Sequence, residues 1–84
     1  MYTLEFKERV IKDFNKLPLK EKNKIWDKIQ LLKQNPRLKG FRKLVGKRNE
    51  FRVRFGNFRI LYQIDEILKK VIIIQVGHRK DIYR

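Results

Sequence analysis

Arg52, Arg54 and Arg59 are the residues of this chain best spaced for chemistry on a phosphate. They flank Gly56-Asn57, which joins two runs of alternating apolar and polar residues and so signals a two-residue hairpin turn. Such a turn pairs Phe55 with Phe58, Arg54 with Arg59, Val53 with Ile60, Arg52 with Leu61, and Phe51 with Tyr62. Strand side chains alternate between faces. Phe51, Val53, Phe55, Phe58, Ile60 and Tyr62 therefore share one face, and the three arginines share the other. Like charges directly opposite across a ladder are destabilising. A fold gains nothing from Arg54 beside Arg59, so the pair points to a bound anion. Guanidinium grips phosphate oxygens through two parallel hydrogen bonds, whereas lysine offers a strongly hydrated point charge. Seven of the nine arginines fall after residue 40, while the preceding half carries mostly Lys. The bland alternative is a solvated strand face, for which Lys is the commoner choice.

Little else in the chain can do chemistry. It has no Cys, no Ser and no Ala, and Thr3 is its one Thr. Thiol nucleophiles, thiolate metal sites and serine hydrolase chemistry are excluded, and the lack of Cys fits a reducing compartment. His78 is the one His. That rules out paired-histidine acid–base catalysis and the usual His-rich metal sites. Alone, His78 could donate a proton near neutrality, or it could be a structural residue at a strand end after Gly77. The nine carboxylates show no cluster, so no magnesium site and no cofactor is expected. Gly40 to Lys47 imitates a phosphate loop, but five residues separate Gly40 from Gly46 and Arg48 follows Lys47. Tyr83 is either frayed with the terminus or packs the tail down. Trp26 and Tyr62 read as core.

These residues must be positioned by a small scaffold. The chain has 84 residues, with 23 Lys plus Arg against 9 Asp plus Glu, a net charge of +14. One domain, 1–84, is expected, burying roughly 60% of the surface its unfolded form exposes. The charge exceeds the magnitude of about 2–8 that keeps a small domain soluble. Self-repulsion on this scale implies an anionic partner. A membrane is not the expected one: the longest apolar run, Val71 to Ile74, is far short of the ~20 residues that span a bilayer. No signal peptide is visible, so a cytoplasmic location is expected.

Tyr2, Leu4 and Phe6 alternate with polar residues as a first strand. Val10, Phe14 and Leu17 then lie on one helical stripe, and Pro18 ends that helix or begins the next. Ile25, Ile29 and Leu32 form the buried stripe of a second helix, with Trp26 at its margin. Asn35-Pro36 stops it. Residues 35 to 49 read as a basic loop holding Lys43, Lys47 and Arg48. The hairpin follows, then a turn over 66–70. The run Val71 to Val76 does not alternate, as for a strand covered on both faces. The expected class is α+β, β-α-α-β-β-β, with two N-terminal helices packed on one face of a small, mostly antiparallel sheet.

Three stretches carry a resemblance to a known family. They are Glu50-Phe51-Arg52-Val53-Arg54, Asn57-Phe58-Arg59-Ile60-Leu61-Tyr62-Gln63-Ile64, and Val76-Gly77-His78-Arg79-Lys80-Asp81-Ile82-Tyr83-Arg84. In this order, at this length and charge, the chain resembles the RelE/ParE superfamily of type II toxins, the RelE branch in particular. The resemblance implies a RelE-like fold and a ribosome-dependent messenger-RNA endoribonuclease acting in the ribosomal A site. The implied chemistry is metal-free attack of a 2′-hydroxyl on the adjacent phosphate. The implied partners are the ribosome, messenger RNA and a cognate acidic antitoxin like RelB. By position it implies catalytic roles for Arg54, Arg59, Arg79 and Tyr83. Arg54 and Arg59 would clamp the phosphate, Arg79 would serve the leaving oxygen, and Tyr83 would stack on the base or orient the 2′-hydroxyl. Arg52, Lys43, Lys47 and Arg48 would bind RNA. Well-known members carry lysines at the positions of Arg52 and Arg54, one of them a proposed general base. Arginine does not give up its proton, so that role passes to Tyr83 or His78. Two alternatives stand beside this: a ParE-like toxin that poisons DNA gyrase without cutting RNA, and a basic nucleic-acid-binding module without catalysis. ParE-like chains generally lack the arginine and tyrosine set.

Overall fold

Apolar residues at helical spacing in the first half and at strand spacing in the second build two layers around one core. The computed structural model describes residues 1–37, 41–43 and 49–78. Along them run β1 (Thr3–Phe6), α1 (Glu8–Asn15), α2 (Leu19–Gln34), β2 (Phe41–Lys43), β3 (Glu50–Phe55), β4 (Phe58–Asp65) and β5 (Lys70–His78). Val10 of α1 and Ile25, Ile29 and Leu32 of α2 are buried against the sheet. Pro18 is extended and precedes α2, and its carbonyl accepts the Lys22 N–H at 2.9 Å. Asn35, held extended before Pro36, ends α2. Among the described residues, no helix is long and apolar enough to cross a membrane.

The strands lie in the order β1-β5-β4-β3-β2. β1 runs parallel to β5, since the two helices carry the chain across before it returns, and the other neighbours are antiparallel. The hairpin has the expected register, Phe55↔Phe58, Arg54↔Arg59 and Val53↔Ile60. Gly56 has φ of 56° while Asn57 stays outside the left-handed region. This is the type II′ pattern, which wants Gly at its first central position. Val53, Ile60 and Tyr62 point into the core. The Tyr62 hydroxyl donates to the Pro36 carbonyl at 2.6 Å, anchoring the segment that leaves α2. Burial pushes this phenol well above its ordinary pKa.

The class is α+β as expected, with three departures in detail. First, the stretch expected to be loop contains β2, which pairs Phe41 with Val53 and Arg42 with Arg52. The Phe41 and Phe51 rings meet at 5.8 Å. Three residues are too few to display a period. Second, β5 is not covered on both faces: Val71, Ile73 and Val76 are buried, whereas Ile72, Ile74 and Gln75 are half-buried. The missing alternation comes from a register shift, where Leu61 faces Gln75 and Tyr62 faces Ile73, leaving Ile74 as an extra residue. Such a bulge resets parity, so Ile73 and Val76, three apart, both reach the core. Third, Trp26 is 46% exposed, stacked on Phe6 at 5.9 Å and met edge-on by Phe14 at 6.3 Å.

Candidate nucleic-acid interface

The face of the sheet turned away from α1 and α2, open among the described residues, carries the arginines. Arg54 lies opposite Arg59 on β4, and Arg59 lies opposite Gly77 on β5. One step along, Arg42 of β2 lies opposite Arg52, which faces Leu61, which faces Gln75. The two rows together hold four guanidinium side chains and no carboxylate.

Backbone bonding explains how close Arg54 and Arg59 come. The Val76 N–H turns away from β4 and donates to Asp13 Oδ2 on α1 at 3.2 Å. Antiparallel pairs alternate between hydrogen-bonded and non-hydrogen-bonded kinds. Ile60↔Val76 is thus of the second kind and Arg59↔Gly77 of the first. Arg59 directs its amide and carbonyl toward β5, which makes Arg54↔Arg59 a non-hydrogen-bonded pair. That kind brings Cα atoms to about 4.5 Å and side chains nearer together. The same bulge that sends Val76 to the core puts Gly77, with no side chain, beside Arg59.

The two arginines differ in depth. Arg54 is exposed, whereas Arg59 is only 6% exposed and engages neighbours within the chain. Its Nε and Nη1 atoms are shielded from solvent. A charge there is little screened, so an anion reaching it would feel a stronger field than at an open surface. Arg52 is half-buried and also engaged with neighbours. The carboxylates that pair with cations elsewhere sit apart from these rows. Asp13 meets Arg9, Glu5 meets Lys70, and Glu66 meets Arg37 and Lys69. Glu66 lies in the β4–β5 turn and also accepts from the Tyr2 hydroxyl at 2.8 Å. Hydrogen bonds from Tyr2, Lys69 and Arg37 hold its carboxyl at about 2, well below the usual range.

The remaining expected site residues divide. His78 pairs with Phe58, so strand parity puts it on the helix side of the sheet, with its ring edge-on to Phe58 at 5.6 Å. It lines a hollow with Arg9, Asp13 and Lys16 and does not join the arginines. Lys43 is exposed, but it pairs with Phe51 and has the parity of the helix side. Its neighbour Arg42 takes the place on the open face instead. Arg79, Tyr83, Lys47 and Arg48 lie outside the described residues. Sequence reasoning missed Arg42 and the part played by Gly77. The stretch that places Arg42, Phe41-Arg42-Lys43, is too short to read as a strand. Among the described residues, no three His, Cys, Asp or Glu side chains gather where they could hold a metal ion.

Known proteins share this fold. The family described as ParE toxin of type II toxin-antitoxin system, parDE, matches residues 4–83. The RelE1 protein of Methanocaldococcus jannaschii is 31% identical over 86 residues, covering 99% of this chain and 96% of the relative. The toxin chain in the intact Escherichia coli RelBE toxin–antitoxin complex superposes with a TM-score of 0.81 at 26% identity, covering 93% of this chain and 96% of that one. In the RelBE2 toxin–antitoxin complex of Mycobacterium tuberculosis the corresponding values are 0.79, 30%, 93% and 98%.

Proposed function

The chain belongs to the ParE toxin family of type II toxin–antitoxin systems, and on that footing we propose that it is a toxin that cleaves messenger RNA. The observation that carries the proposal is Arg54 set opposite Arg59 in a close pair on the open sheet face. A phosphodiester between them would meet two guanidinium groups, one deep and one at the surface. Attack by the 2′-hydroxyl forms a bond from that oxygen to phosphorus and breaks the bond to the 5′-oxygen. The products are a 2′,3′-cyclic phosphate and a 5′-hydroxyl. Negative charge grows on the non-bridging oxygens at the transition state, where fixed donors are most effective. Arg54 and Arg59 supply that stabilisation. Arg79 stabilises the negative charge on the departing 5′-oxygen, which takes its proton from water, and Tyr83 packs against the splayed base, as aromatics do with single-stranded RNA. With His78 on the other face, Tyr83 is the better of the two earlier candidates for taking the 2′-hydroxyl proton.

The substrate is presented by the ribosome in the A site, so the work is done in the cytoplasm. The partner is a cognate antitoxin, as in the toxin–antitoxin complexes that the fold resembles, and here an acidic one. With a net charge of +14, an acidic segment has ample surface to cover. A second reading is favoured by the family description itself, ParE toxin: a gyrase poison that leaves RNA intact. Expression with and without the neighbouring gene decides between them. Growth arrest rescued by the neighbour, with messenger 5′-ends newly mapped inside codons, supports the ribonuclease. Arrest with intact messenger and gyrase trapped on DNA supports the second reading.

A further inference from the structure

We infer that Arg42, with Arg52, forms a second phosphate subsite, holding the linkage next to the scissile one. The inference rests on the open face being an RNA site, and it assigns to that site a substrate of at least two consecutive phosphates. The sheet lattice supports it. Going from the Arg54–Arg59 pair to the Arg42–Arg52 pair means two residues along β3 and one strand across. At about 3.4 Å per residue and about 4.8 Å between strands, the two pairs are centred roughly 8 Å apart. Arginine side chains can lean over much of that distance. The separation is then comparable with that of adjacent phosphates in an extended single strand.

Arg42 also has no evident duty in the fold. It is exposed, and its Nη1 donates to the carbonyl of its own neighbour, Phe41, at 3.0 Å. It lies directly opposite another arginine, an arrangement that destabilises a ladder. An edge strand gains from charge, which discourages pairing with other chains, but Lys43 already supplies that on the same short strand. The repeated arrangement, two like-charged cross-strand pairs side by side, is what a sugar-phosphate backbone crossing the face would require.

The test is equilibrium binding of 2′-O-methyl RNA, which lacks the attacking hydroxyl, as a dinucleotide with one phosphate and a trinucleotide with two. For the wild type the trinucleotide binds more tightly, and its log affinity falls more steeply with log salt, by about 0.7 in slope for the extra contact. Arg42→Gln is expected to lose roughly 10-fold on the trinucleotide and that extra slope, with the dinucleotide unchanged and the melting temperature not lowered. Equal losses on both ligands would overturn the inference, since the charge would then act diffusely. No loss on either from Arg42→Gln, while Arg54→Gln weakens both, would overturn the subsite and leave the RNA face standing. No loss from either substitution would overturn the RNA face and the subsite with it.

Discussion

Replacing Arg54 with Gln should make the protein more stable and less active at once. Arg54 and Arg59 face each other in the close, non-hydrogen-bonded kind of pair. Two unit charges about 5 Å apart repel by ~0.8 kcal/mol in water, and measured cross-strand pair energies run about 0.2–1 kcal/mol. Arg54 is exposed, so the side chains can splay and the lower part of that range applies. For a domain of this size each kcal/mol moves the melting temperature by roughly 4–8 °C. The variant should therefore melt about 1–5 °C higher. The gain should shrink in 1 M salt, where the screening length falls to about 3 Å. Cleavage should fall on the order of 10²–10³-fold, the usual loss for a removed transition-state donor. Thermal melts at low and high salt, beside messenger cleavage in a translating extract, measure both. A lower melting temperature would mean that Arg54 serves the fold. Undiminished cleavage would mean that the phosphate sits elsewhere.

Tyr62→Phe removes a buried hydroxyl and leaves the Pro36 carbonyl without that donor, so denaturant unfolding should show a loss of about 1–3 kcal/mol. Gly56→Ala should cost about 1–2 kcal/mol even though an added Cβ would meet nothing within 4 Å, because the cost lies in the φ of 56° alone; an unchanged unfolding midpoint would contradict the type II′ turn. The depressed Glu66 carboxyl favours the folded state above its ordinary pKa of 4.5, and that contribution fades as pH falls toward about 2. Glu66→Gln should therefore flatten the acid limb of the stability profile in that window and, since the group is exposed, the difference should shrink with added salt.

The hairpin was the most legible part of the chain. Alternation on both sides of Gly56-Asn57 fixes register, and register alone placed Arg54 opposite Arg59 on the face away from Val53 and Ile60. The stops at Pro18 and Asn35-Pro36 were legible for an equally local reason, the angles proline imposes. What escaped depends on contacts distant in sequence. The bulge at Ile74 accompanies the capture of the Val76 N–H by Asp13, which needs α1 already seated beside β5. That parity reset sends His78 to the helix side and brings Gly77 beside Arg59. Alternation assigns a residue to a face but not to a depth, so the burial of Arg59 was invisible. The choice between Arg42 and Lys43 turned on β2 being a strand, and that rests on its pairing with β3 and on Phe41 meeting Phe51 rather than on any pattern within its three residues.

A structure of the protein bound to a 2′-O-methyl codon would test the placement of the scissile linkage directly. The expected result is a phosphate between Arg54 and Arg59, with its non-bridging oxygens about 2.7–2.9 Å from guanidinium nitrogens. RNA seated on the helix side, beside His78 and Arg9, or phosphates out of reach of Arg54, would contradict it.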